Sequence, residues 1–104
     1  MTTKQKLTRA NLIKFLKKHK DFFKEQYGFK NIYIFGSYAK NKQHAKSDID
    51  ILVDAIKEKK TYDNFFNAQF FLQNQLHTKV DLVYSDSINP VIALSIRDER
   101  IKIE

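Results

Sequence analysis

Cysteine is absent from this chain of 104 residues. Disulfides, thiolate nucleophiles and cysteine-based zinc or iron–sulfur centres are therefore excluded, and thiol usage says nothing about redox compartment. Glycine and proline are scarce, at two and one, against nine phenylalanines, five tyrosines and 42% hydrophobic residues overall. That balance is unlike a disordered segment and supplies enough apolar material for a packed core. Cores divide only in chains more than about twice this long, so residues 1–104 are expected to form one domain with no second substrate lobe. No apolar run approaches the roughly 20 residues that span a bilayer. The basic opening Met1–Leu7 is followed by no continuous apolar segment. A soluble, cytoplasmic protein with no membrane partner is expected. Acidic residues are outnumbered 12 to 19, giving a formal net charge of +7. Such an excess suits an anionic partner, whether nucleic acid, nucleotide or acidic protein surface, and equally serves solubility.

From Thr8 to Tyr27, Leu12, Phe15, Leu16, Phe22 and Phe23 recur at the three-and-four spacing of an amphipathic helix, with Lys14, Lys17, Lys18 and Lys24 mostly off that stripe. Thr8 suits the N-cap and Gly28 the left-handed residue that ends many helices. Strands are predicted over Asn31–Phe35, Asp48–Asp54 and Lys79–Tyr84, and a helix with a broad apolar face over Thr61–Leu76. Asn89 and Pro90 read as N-cap and first helical residue of a short helix reaching Arg97. Ile101 and Ile103 alternate with charge as in an edge strand. The order implies an α/β or α+β domain, a small sheet covered by helices.

The chemistry lies in Gly36-Ser37-Tyr38-Ala39 followed by Ser47-Asp48-Ile49-Asp50-Ile51-Leu52-Val53. Residues two apart in a strand share a face, roughly 6.6 Å apart. Asp48 and Asp50 should therefore point the same way, with Leu52, while Ile49, Ile51 and Val53 face a core. Paired carboxylates resist burial unless a cation sits between them, and magnesium suits a few hard oxygen ligands completed by phosphate and water. Asp81, in Val80-Asp81-Leu82-Val83, offers a third carboxylate if its strand lies alongside. Taken alone, an Asp-x-Asp pair is equally a turn cap. A Gly-Ser step between strand and helix adds backbone N–H groups and a hydroxyl that can approach a phosphate.

In this combination the chain resembles the nucleotidyltransferase superfamily related to DNA polymerase beta, specifically its minimal nucleotidyltransferase branch. The resemblance rests on Gly36-Ser37, Asp48-x-Asp50 and Asp81 and covers nearly the whole chain. It implies the polymerase beta-like fold, a small mixed β-sheet flanked by helices. It also implies two magnesium ions held by Asp48, Asp50 and Asp81, with ATP as nucleotide donor and its β- and γ-phosphates at Gly36 and Ser37. Asp81 would help deprotonate the acceptor. The family usually continues with Ala-Arg-Gly where this chain has Ala39-Lys40-Asn41. Lysine keeps the charge and asparagine tolerates positive φ. Lys40, Lys42 and Lys46 could add charge near the phosphates, although an exposed solubilising loop suits each of them, and His44 reads as a surface residue. The implied role is the antitoxin half of a toxin–antitoxin pair, transferring AMP to a tyrosine of a HEPN-domain ribonuclease toxin. The alternatives are an antitoxin that acts by binding alone, through the basic helix Arg9–Lys24, and transfer to another acceptor. Direct nucleic-acid binding is the weakest reading, since no such motif is present.

Overall fold

Thr8 accepts a hydrogen bond from the Asn11 N–H and starts α1, Arg9–Lys18. The helix expected to continue to Tyr27 breaks at His19, whose φ of −101° and ψ of 8° leave the helical basin. The His19 Nδ1–H donates to the Phe15 carbonyl at 2.9 Å, so a side chain takes an acceptor at the end of the first helix. The chain resumes as α2, Lys20–Tyr27, closed by Gly28 in the left-handed conformation as expected. Leu12, Leu16, Phe23 and Tyr27 are all buried across the break, which is why the apolar spacing does not reveal it. The computed structural model describes residues 7–104. Residues 1–6, with most of the basic opening stretch, lie outside the described residues.

The remaining elements are β1 (Phe29–Phe35), α3 (Gly36–Ala39), β2 (Ile49–Ala55), α4 (Tyr62–Leu76), β3 (Val80–Tyr84), α5 (Pro90–Arg97) and β4 (Ile101–Lys102). Single 3₁₀ turns at Lys57–Lys59 and Ser85–Ser87 follow β2 and β3. The four strands form one mixed sheet in the order β3-β2-β1-β4, antiparallel except for the parallel pair β2 and β3. Parallel neighbours need a crossover, and α4 provides it. Among the described residues no helix is long and apolar enough to cross a membrane.

One sheet face carries Ile32 and Ile34 of β1, Ile49, Ile51 and Val53 of β2, and Val80 and Leu82 of β3. These form one core with Leu12, Leu16 and Phe23 from α1 and α2 and with Ala68 and Leu72 from α4. Full burial of each such aliphatic side chain contributes about 1.5–3 kcal/mol. The opposite face carries Phe35, Tyr33 and Asn31 of β1 opposite Asp50, Leu52 and Asp54 of β2. It is not wholly polar: Leu52 is 3% exposed and Tyr33 9%, and the Arg100 guanidinium lies 4.2 Å from the Tyr33 ring centre.

The crossover helix begins where the Thr61 hydroxyl accepts from the Asn64 N–H, at 3.1 Å. Thr61→Ala removes that acceptor from an exposed helix start and should cost about 1 kcal/mol of stability. Chemical denaturation of the two proteins checks this, and unchanged midpoints would show the cap to be without effect.

Candidate active site

The parallel register puts Asp50 directly opposite Asp81, with Ile49 opposite Val80 and Ile51 opposite Leu82. Neighbours in register share a sheet face, so both carboxylates project to the side away from the helical core. Both are partly buried. Burial first, then the charge of Asp81, the charge of Asp48 and a hydrogen bond with Asp81 push the Asp50 carboxyl from 3.8 up to about 6. The two groups behave as carboxylates pressed together with no cation between them.

Asp48 stands just before β2, which begins at Ile49. It acts on Asp50 through its charge, while its own carboxylate faces Lys79, with Oδ2 and Nζ 3.7 Å apart. Among the described residues, no three His, Asp or Glu side chains already converge as a metal-binding group. The structure thus brings Asp50 and Asp81 together and leaves Asp48 at the rim. The donor set still fits magnesium: hard carboxylate oxygens, two of them forced close, and a third held aside only by an exposed ion pair worth about 1 kcal/mol or less.

Gly36 ends β1 and opens α3, next to Phe35, which is opposite Asp50. Its φ is 71°, and a Cβ placed on it would lie 2.2 Å from Asp50 Oδ2. No other residue type allows both this turn and this approach of backbone to carboxylate. Ser37 follows, partly buried, on the one-turn α3. The far end of that turn is held by Arg9, whose Nη1 donates to the Ala39 carbonyl at 3.1 Å. Asn41 takes φ 57°, the positive value anticipated for it.

The loop returning to β2 is pinned by buried Ser47, whose Oγ accepts from the His44 N–H at 2.9 Å. His44 itself is exposed and its ring accepts the Lys46 N–H at 3.3 Å, the surface role expected of it. Lys42 and Lys46 are exposed, and Lys40 pairs with Glu99 at 3.3 Å.

Asp54, which the motif reading passed over, lies further along the same face. It accepts from Asn31 Nδ2 at 2.9 Å, from Tyr33 Oη at 3.4 Å and from Ser85 Oγ. Burial acts to raise its pKa, but these hydrogen bonds and the Arg100 charge prevail and hold the carboxyl below its usual value. A carboxylate so satisfied ties β1, β2 and the end of β3 together rather than waiting for a ligand. The alternation running from Asp50 through Leu52 to Asp54 was the available signal for its face.

The family model described as "Nucleotidyltransferase domain" matches residues 16–103. A Methanocaldococcus jannaschii protein, provisionally named a protein adenylyltransferase, is 48% identical over 89 residues, 85% of this chain and 90% of its own. Protein adenylyltransferase MntA of Thermococcus cleftensis is 32% identical over 97 residues, 93% of this chain and 97% of its own. Among solved structures, one described as a minimal nucleotidyltransferase has a TM-score of 0.78 at 21% identity, covering 91% of this chain and 95% of that one, a likeness of fold. A toxin–antitoxin complex with AMP-PNP has a TM-score of 0.68 at 28% identity, covering 94% of this chain and 73% of that one.

Proposed function

The chain belongs to the nucleotidyltransferase domain family, and from that premise we propose that it is an antitoxin which transfers AMP from ATP to a tyrosine hydroxyl of a partner HEPN-domain ribonuclease, thereby silencing it. The observation that carries this reading is the register pairing of Asp50 with Asp81 beside the bare Gly36 backbone. It is supported by the adenylyltransferase names of its relatives and by the similar toxin–antitoxin complex, whose AMP-PNP is an ATP analogue.

Asp50 and Asp81, with Asp48 beside them, are the residues that would hold magnesium. When bound, magnesium neutralises the crowded carboxylates and stabilises the attacking and departing oxygens of an in-line displacement. The Ser37 N–H and hydroxyl and the Gly36 backbone donate to the β- and γ-phosphate oxygens, beside the Asp50 carboxylate that the absent Gly36 side chain lets come close. Asp81, on the outermost strand, takes the acceptor's proton. The acceptor oxygen then bonds to the α-phosphorus as the bond to the leaving pyrophosphate breaks.

Incubation of the HEPN-domain partner with the chain, ATP and magnesium should raise the partner's intact mass by one or more AMP groups. An unmodified partner, in a mixture where the chain demonstrably binds ATP, would overturn the reading. Full neutralisation of the toxin by an Asp48/Asp50 double variant would favour an antitoxin that acts by binding alone.

A further inference from the structure

β3 is an edge strand, hydrogen-bonded to β2 on one side only. Along a strand, the N–H and C=O of successive residues turn alternately to the two sides. The Ile49 N–H donates to the Lys79 carbonyl at 2.9 Å, which sets the phase: Val80 and Leu82 turn their backbone groups to the free edge. Val80 is sealed there by two glutamines of α4. Gln69 Nε2 donates to its carbonyl at 2.7 Å, and its N–H donates to Gln73 Oε1 at 3.1 Å. For Leu82, one step on, no side chain or loop among the described residues takes either group. Unpaired backbone groups on a strand edge are a template for another strand; here Val80 is sealed, while Leu82, itself only 5% exposed, keeps its N–H and C=O without a partner among the described residues.

Leu82 borders a groove of about 550 Å³ between β3 and the start of α4, lined also by Lys60, Tyr62, Phe65, Phe66 and Tyr84. Tyr62 and Phe66 stack with ring centres 6.3 Å apart yet remain 84% and 58% exposed. One more helical turn along, Phe70 is 65% exposed on the same stripe. A free backbone donor and acceptor at the foot of an aromatic wall is the chemistry that receives an extended peptide as an added strand.

We propose that this edge docks an extended segment of the acceptor protein, and so presents the acceptor hydroxyl to the carboxylates; this rests on the transfer reading above. In an antiparallel addition, the docked residue that exchanges hydrogen bonds with Leu82 has neighbours opposite Asp81 and Val83. Their side chains fall on the carboxylate face, so a hydroxyl residue beside Asp81 stands at the site. The exposed aromatics confer affinity, and the backbone pairing fixes register.

Two measurements test this. The first is amide hydrogen exchange with the HEPN-domain protein and no nucleotide, in which the Leu82 N–H should slow at least tenfold in the complex. The second is steady-state kinetics of Phe66→Glu, a change at an exposed side chain. The KM for the acceptor protein should rise at least tenfold, with kcat and the KM for ATP unchanged. An unprotected Leu82 amide, an unchanged acceptor KM or no complex at all would overturn the proposal. So would a dimer of the chain alone that already protects Leu82 and dissociates in Phe66→Glu, since a second copy would then fill the groove. If the wild type transfers nothing, the transfer reading fails by itself, and the exchange experiment still decides the docking.

Discussion

Asp50→Asn should lower AMP transfer by at least about 10³-fold while making the magnesium-free protein more stable at pH 8. The loss follows from removing one of the two paired carboxylates. The charge stabilisation supplied by a held cation is worth several kcal/mol, and each 1.36 kcal/mol is tenfold in rate. The gain in stability follows from proton linkage. The Asp50 carboxyl titrates at about 6 in the folded chain against 3.8 for the ordinary group. A folded-state pKa raised in this way favours the native state while the carboxyl keeps its proton, and that contribution is lost as pH rises from about 4 through about 6. Above that window the native state holds a crowded, half-buried anion, which asparagine does not impose. After allowance for solvent screening, the relief is about 1–2 kcal/mol. Thermal unfolding in chelator should therefore separate the two proteins at pH 8 and not at pH 4. Transfer retained within tenfold of wild type would remove Asp50 from the reaction, and equal stability at pH 8 would refute the crowding.

Gly36→Ala should lower transfer at least about 100-fold and cost about 1–2 kcal/mol of stability. Alanine at φ 71° is strained by about 1 kcal/mol or more. Its methyl group would also meet the Asp50 carboxylate at 2.2 Å, so the carboxylate must move, and small displacements at a reacting centre cost rate steeply. Gly28→Ala provides the matched control. Gly28 has φ 73°, and its Cβ would meet Lys59 Cβ at 2.7 Å and Ile56 Cγ1 at 2.8 Å, well away from the carboxylates. Both variants should unfold earlier in denaturant, but only Gly36→Ala should lose kcat per folded molecule. A fully active Gly36→Ala would show that the approach of Gly36 to Asp50 is not needed.

Most elements were legible because their signals are local. Thr8, Thr61 and Asn89 cap helices, Gly28 stops one, and each acts through bonds to residues close by in the chain. The meeting of Asp50 and Asp81 was only conditional in the sequence, since alternation gives a face within one strand and says nothing of which strand lies beside it. The break at His19 was hidden because the apolar stripe runs through it unbroken. Leu52 sits on the carboxylate side as alternation requires, but its burial depends on what covers that face at long range. The same holds for Asp54, whose donors come from β1 and from beyond β3. Asp48 lies one residue before β2, which starts later than the sequence suggests, and its charge still reaches Asp50.

The crossover through α4 has a consequence for how the protein is made. Translation delivers Asp50 long before Asp81, and the intervening helix must seat before the two strands can zip together. Such non-local parallel pairing comes late and slowly in folding. A nascent chain still lacking Val80–Tyr84 can carry a formed hairpin of β1 and β2 and yet no paired carboxylates. Onset of activity after synthesis would therefore wait on the docking of β3 against β2.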